Sequence, residues 1–284
     1  MAKEFFHYPE TASLFELLEE TSRRSGVSRA QAFEDFLTMS ACSLSGGRME
    51  DLYLQTVAKH TSGSPGKRGC DSIARMFGEL VAAMEQDTRE QMKDILGDLF
   101  QGCISYGEHG QFLTPMPVCE LMARMTLQGD SETNEAGESL GQEDQPFNSQ
   151  PTAEPANWRP WERRNVCDCC CGSGRMLLAA ASINRSYEFV GQDVDLRCVR
   201  MTALNLAFRN LYGYVIWGNS LGNEKKLVYR TGFDGIGVVR EIPLSACPAP
   251  VQQVVQREAA IKEADASQTD DDAPPSTTTQ LRLF

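Results

Sequence analysis

Histidine is scarce in this chain of 284 residues: only His7, His60 and His109 are present, all far upstream of the cysteine-rich stretch that begins at Cys167. That scarcity weighs against a structural zinc site, which needs a second pair of Cys or His ligands within reach of a C-x-x-C pair. Cys167 and Cys170 have that spacing, but Cys198 alone follows nearby, so no metal is expected. Basic residues are also in deficit, 27 Lys and Arg against 39 Asp and Glu, for a net charge of −12. A protein that coats DNA through a basic face neutralises phosphates with clustered Lys and Arg. Any meeting with DNA is therefore expected to be local or through a partner. No apolar run approaches the ~18 residues of a membrane span, and the opening MAKEFFHYPE lacks the charged-then-apolar order of a secretory signal. The expectation is a cytoplasmic protein without a membrane partner. Ten cysteines fall short of a disulfide scaffold, and in a reducing compartment they should be mostly buried thiols.

What the chain does carry is periodicity. From Thr11 to His60 apolar residues fall at helical spacing (Leu14, Leu17, Leu18; Ala32, Phe33, Phe36, Leu37), with Ser28 as an N-cap and Gly46-Gly47 as a break. Cys70 to Ile104 repeats the pattern, so residues 1–128 read as a helical region. Residues 129–160 read as an acidic linker: Gly129 to Ala156 holds seven acidic residues, no basic ones and few apolar side chains to offset ordering entropy. A tail over 246–284, with Pro248, Pro250, Pro274, Pro275 and the run Asp270-Asp271-Asp272, reads as disordered. Between linker and tail, over 161–245, strand-like stretches (Asn165–Cys170, Tyr187–Gln192, Tyr214–Trp217, Gly235–Val239) alternate with helix-like ones (Met176–Ile183, Leu196–Arg209). Such alternation predicts an α/β domain with a parallel sheet and crossover helices.

The stretch Val166-Cys167-Asp168-Cys169-Cys170-Cys171-Gly172-Ser173-Gly174 holds four cysteines in five positions. A redox pair would sit at a helix N-terminus, where a thiol pKa falls; here the helix starts after Gly174, and Cys167 lies within the strand. The flanks are more informative. An apolar strand ending in Asp168 leads through Gly-x-Gly into a helix, which brings backbone N–H groups and the positive helix end close to a ligand. Asp193 follows Gly174 by nineteen residues, where an acid at the end of the next strand accepts hydrogen bonds from a ribose diol. This suits a nucleoside cofactor. Leu177 stands where a dinucleotide fingerprint wants its third glycine, which disfavours NAD.

Asp168-Cys169-Cys170-Cys171-Gly172-Ser173-Gly174 resembles the D-P-A-C-G-S-G motif of adenine-specific DNA methyltransferases, especially the modification subunit of type I restriction systems. Asp94–Phe100 and Gly110-Gln111-Phe112-Leu113-Thr114-Pro115 resemble the segment with G-Q-F-Y-T-P that precedes that motif in the family. Gly191–Asp195 and Gly218-Asn219-Ser220-Leu221 resemble the second acidic motif and G-D-S-L. The resemblance implies a truncated Rossmann-like S-adenosylmethionine-dependent methyltransferase fold. It also implies S-adenosylmethionine as cofactor, held by Gln111, Phe112, Thr114, Pro115, Asp168, Cys171, Gly172, Gly174, Asp193 and Asn219. Within that set Asp168 would face the methionyl ammonium, Asp193 would hold the ribose hydroxyls and Asn219 would sit beside the adenine. Thr114-Pro115 also reads on its own as an N-cap followed by Pro at the first helical position.

The family introduces its catalytic N-P-P-F with a lead-in like F-D-x-I. Phe233-Asp234-Gly235-Ile236 supplies the lead-in, but Val239-Arg240-Glu241-Ile242 stands where the tetrad belongs, and neither N-P-P nor D-P-P occurs in the chain. Amino methyl transfer needs acceptors that aim the adenine amino group and an aromatic face that holds the flipped base. No catalytic residue is therefore assigned. The expectation is an accessory or regulatory protein at DNA, with a partner subunit or a homodimer as its assembly; the alternative is an active adenine (N6) methyltransferase completed by a partner subunit or using Asn219, Asp234 or Glu241 in a nonstandard role. The last five residues, Gln280-Leu281-Arg282-Leu283-Phe284, resemble the Q-L-x-L-F pentapeptide that docks on the bacterial DNA polymerase sliding clamp. Leu281, Leu283 and Phe284 would fill an apolar pocket and Gln280 would hydrogen-bond at its edge.

Overall fold

The computed structural model describes residues 6–88, 92–105, 112–127, 165–232 and 238–247. Helix α1 (Pro9–Ser25) opens on a proline, whose missing N–H is no loss in a first turn. Helix α2 (Arg29–Ser43) is capped as its sequence predicts: Gln31 N–H donates to Ser28 Oγ at 3.1 Å. Then follow α3 (Glu50–Ala58), α4 (Gly69–Glu85) and α5 (Ile95–Phe100), which widens into one π-helical turn over Gln101–Ser105, and α6 (Met116–Leu127). The second part runs β1 (Asn165–Asp168), α7 (Arg175–Ile183), β2 (Glu188–Asp193), α8 (Leu196–Phe208), β3 (Gly213–Trp217), β4 (Leu227–Thr231) and β5 (Val239–Ile242). The segments read as linker and as tail lie outside the described residues, apart from 246 and 247. The chain divides into two units, Met1–Leu244 and Ser245–Phe284. No helix among the described residues is long and apolar enough to cross a membrane.

The fold is mixed α/β, and its sheet departs from the all-parallel expectation. Strand order is β1-β2-β3-β4-β5, with β1, β2 and β3 parallel but β4 antiparallel to β3 and β5 antiparallel to β4. Connection length explains the change. Helices α7 and α8 carry the chain from β1 to β2 and from β2 to β3, whereas only residues 218–226 join β3 to β4. A parallel crossover takes about a dozen residues or more, so the chain turns back instead. Strand β4, unforeseen in the sequence, results; Val239–Ile242 becomes the fifth strand.

The helices and the sheet share one apolar core that runs from Leu14 to Val239. Helix α8 lies at its centre, against α2 on one side and β2, β3 and β4 on the other, with Val199, Met201, Ala203, Leu204, Leu206 and Ala207 all buried. Beyond its last turn, Arg209 is almost fully buried; its Nε donates to Asp87 Oδ2 at 3.0 Å and its Nη2 to the Lys93 carbonyl at 2.6 Å. That pair ties the segment after α4 to α8. All ten cysteines are free thiols.

A second polar chain, centred on buried Asp35 and His60, joins α1, α2 and the end of α3. Ser25 Oγ lies 2.7 Å from His60 Nδ1, His60 Nε2 lies 3.1 Å from Asp35 Oδ2, and Lys59 Nζ donates to Asp35 Oδ1 at 2.9 Å. Burial pushes the Asp35 carboxyl up, but the hydrogen bonds from His60 and Lys59 outweigh it and leave the group below its ordinary value. A carboxyl with a lowered folded pKa stabilises the fold above its unfolded pKa of about 3.9 and loses that contribution as pH falls through the folded value. Urea unfolding of the wild type and Asp35→Asn at neutral pH and near pH 2 is expected to show the difference between them shrinking on acidification. An unchanged difference would remove the ionised carboxylate from the account.

Candidate functional site

The turn between β1 and α7 is built from backbone. Its start continues the β1–β2 ladder, with Cys171 N–H donating to the Gln192 carbonyl at 3.0 Å; Gly172 N–H then donates to Asp193 Oδ2 at 2.9 Å. Gly172 and Gly174 have φ of +54° and +89°, a region where side chains are strained. A Cβ on Gly174 would also come within 3.1 Å of Thr202 Cγ2. Thr202 in α8 secures the turn from behind, its hydroxyl donating to the Gly172 carbonyl at 2.9 Å. The glycines read from the sequence thus serve a tight turn at the start of α7.

Below the turn lies a carboxylate to which the sequence reading gave no role. Asp94, fully buried, caps α5 by accepting the Gly97 N–H at 2.9 Å. It also accepts Ser173 Oγ at 2.5 Å, Arg175 Nε at 2.6 Å and Asn205 Nδ2 at 2.9 Å. Arg175 continues outward, donating from Nη1 to Gln101 Oε1 at 3.0 Å and to the Thr114 carbonyl at 3.2 Å. Gly97 permits this meeting, since a Cβ there would stand 1.9 Å from Asp94 Oδ2 and 2.4 Å from Ser173 Oγ. Four residues on, Asp98 serves the other direction: its carboxylate accepts the N–H groups of His7 and Tyr8 and the Thr11 hydroxyl at the start of α1. The place of Asp94–Phe100 in the motif order was the one sequence signal for these roles.

Above the turn is a cavity of about 240 Å³, close to the ~300–1,000 Å³ of small-molecule sites. Of the residues expected to hold the cofactor, Phe112, Thr114, Asp168, Cys171, Gly172 and Asp193 line it, joined by Phe100, Arg175, Cys198 and Ser220. Gly174 lies just behind the lining, as the N-cap of α7. Asn219 does not line the cavity: it is exposed in the turn after β3, where its Oδ1 accepts the Leu221 N–H at 3.0 Å. Pro115 is not in the lining either. Helix α6 begins at Met116, with the Pro115 carbonyl accepting from Val118 N–H at 2.9 Å, so Pro115 takes the capping place expected of Thr114. Gln111 and the pentapeptide residues Gln280, Leu281, Leu283 and Phe284 lie outside the described residues.

The charge in the cavity is unbalanced. Burial raises the Asp168 carboxyl, against a 3.1 Å hydrogen bond from Cys170 N–H, and nearby Asp193 raises it further. Burial likewise raises Asp193, opposed by the N–H groups of Asp195 and Gly172. Arg175, the cation in the lining, is engaged by Asp94, and among the described residues no cationic side chain pairs with Asp168 or Asp193. The cavity thus holds two carboxylates whose burial no cation among the described residues offsets. Cys171 is an inert buried thiol, its pKa raised by burial. No group of three or more His, Cys, Asp or Glu among the described residues is arranged to hold a metal ion.

Val239–Ile242, which takes the tetrad's place in the sequence, does not reach the cavity. Strands β3 and β4 separate β5 from β2, a gap of roughly 14 Å at about 4.8 Å per strand. The N–H of Val239 donates to the Leu44 carbonyl at 3.0 Å, at the end of α2. The sequence places these four residues beside the site; the hairpin carries them to the far edge of the sheet.

Residues 91–239 match the family model described as N-6 DNA Methylase. The chain belongs to that family. The match spans the Asp94 segment, the glycine turn and Asp193, and it ends at Val239, the first residue of β5. No curated protein and no solved structure matches the chain. Methylases of this family generally use S-adenosylmethionine.

The Asp94 hub yields a direct test. Replacing one partner of a buried ion pair leaves the other uncompensated, at a cost of about 3–5 kcal/mol. Asp94→Ala, which strands the buried Arg175 guanidinium, is expected to lower the unfolding free energy in urea by about that amount. A loss below about 1 kcal/mol, the worth of an ordinary hydrogen bond, would show that the hub does not join the helices to the turn.

Proposed function

We propose that the chain binds S-adenosylmethionine in this cavity without methylating DNA by itself, and that it acts as an accessory or regulatory factor at DNA. The observation that carries the first half is the pair of carboxylates, Asp168 and Asp193, raised by burial and left without a cationic partner among the described residues. S-adenosylmethionine carries both an ammonium and a sulfonium, so its charge relieves what the empty pairing leaves costly. Asp168 holds the ammonium, Asp193 keeps the turn in shape through Gly172 while accepting from the ribose, and Phe112 and Ser220 stand at the wall. The cofactor supplies an activated methyl group. The chain's residues bind and orient it, but none of those described beside the cavity supplies the Asn-Pro-Pro-aromatic set that would aim an adenine amino group. Family membership and the position of β5 support that reading.

Calorimetry with S-adenosylmethionine, run beside a methyl-transfer assay on unmethylated DNA, tests both halves. Binding without transfer is expected, with Asp168→Ala weakening affinity about tenfold or more, the worth of one charge-assisted hydrogen bond. Transfer that Asp168→Ala abolishes would overturn the accessory role in favour of an active adenine methyltransferase. Absence of binding would instead leave the fold as an interaction module.

The same reading tethers the protein to the bacterial sliding clamp through Gln280, Leu281, Leu283 and Phe284. Deleting residues 280–284 is expected to abolish capture of the purified clamp by the full chain, while leaving cofactor affinity unchanged. Undiminished capture would rule the pentapeptide out as the tether.

A further inference from the structure

We propose that Arg175 is a specificity-determining residue of the cavity, its free Nη2 donating to the carboxylate of the ligand's amino-acid end while Asp168 takes the ammonium. The inference rests on S-adenosylmethionine as the occupant and adds which part of that molecule the chain reads. Arg175 opens α7 and is only 6 % exposed. A guanidinium carries five N–H donors in a fixed fork. Nε is spent on Asp94 Oδ2, and Nη1 on Gln101 Oε1 and the Thr114 carbonyl. Nη2 has no hydrogen-bond partner among the described residues, yet the protein does not seal it in. Since Arg175 lines the cavity, that is the space open to Nη2. Donors on a buried side chain are seldom left unpaired, and an ionised acceptor makes the strongest bond with a guanidinium.

Charge narrows the ligand group further. Among the lining residues Arg175 is the cation, and Asp168 and Asp193 are the anions. A negative group in this space is therefore best placed beside Arg175. The start of α6, another place where an anion could be held, has few donors to offer. Pro115 and Pro117 carry no N–H, and the N–H groups of Val118 and Cys119 both go to the Pro115 carbonyl. Helix α7, by contrast, presents its positive end where Arg175 begins it. Asp168 closes β1 and Arg175 opens α7, on the two sides of the glycine turn. An ammonium and a carboxylate borne on one carbon match that pair of opposite charges, and they fix which way the amino-acid end enters. An Arg175 that only braces Asp94 would instead be indifferent to the ligand's carboxylate.

Calorimetry on the full chain with S-adenosylmethionine and with its decarboxylated form, which keeps the adenosine, the sulfonium and the amine, tests this. The wild type is expected to bind the carboxylated compound about tenfold or more tightly, the worth of one charge-assisted hydrogen bond. Arg175→Lys keeps a cation against Asp94 but loses the fork, and should bind both compounds alike. Where circular dichroism shows that Lys does not hold the hub, Arg175→Gln combined with Asp94→Asn removes the same donor without stranding a charge; that double variant should lose the preference too. A wild type without the preference, or a preference that survives the loss of Arg175, would overturn the proposal and leave the cofactor in place. Failure of the wild type to bind either compound would overturn both readings together.

Discussion

Everything near the glycine turn leans on one carboxylate. Asp94 accepts hydrogen bonds from α5, from the turn, from α7 and from α8 at once, so four elements distant in sequence meet at a single buried charge. A buried carboxylate is costly unless its lone pairs are satisfied and its charge is matched. Here both conditions hold, through Arg175 and three neutral donors. Removal of any donor shifts that cost onto the rest. The arrangement explains why helices and sheet share one core: the glycine turn is held in shape from the helical side.

The sheet tells a complementary story. Its parallel half, β1 to β3, is where strand ends and helix starts converge, and the cavity opens there. Its antiparallel half exists because the chain between β3 and β4 is too short to cross over. The site therefore has a complete floor and back wall, while the segment that stands in place of the family's catalytic tetrad is spent on pairing with β4 and contacting Leu44. The cavity and the segment at the tetrad's place in the sequence thus lie on opposite halves of the sheet.

Local features were legible in the sequence because local physics makes them. The Ser28 cap, the left-handed glycines and the acids closing β1 and β2 follow from a few neighbouring residues. What escaped was set by distance. The partners of Asp94 lie 79, 81 and 111 residues downstream, and no periodicity announces them. Strand β4 was hidden for another reason: Leu227–Thr231 follows two lysines and contains Arg230, so it reads as polar until Val228 and Tyr229 are seen buried against α8. Asn219 fell outside the cavity lining because its side chain closes its own turn through Leu221; a motif match fixes position along the chain, not direction in space.

The unmatched carboxylates of the cavity have a thermodynamic corollary. Asp168 and Asp193 hold their protons more tightly than free aspartates do, because burial disfavours their charge. A cation arriving beside them reverses that preference and draws their pKa values back down. Over the pH range in which they titrate, occupancy and proton release are then one coupled equilibrium. The heat of binding would carry the ionisation of the surrounding buffer within it, and the cavity would act as an exchanger of protons for a positively charged guest.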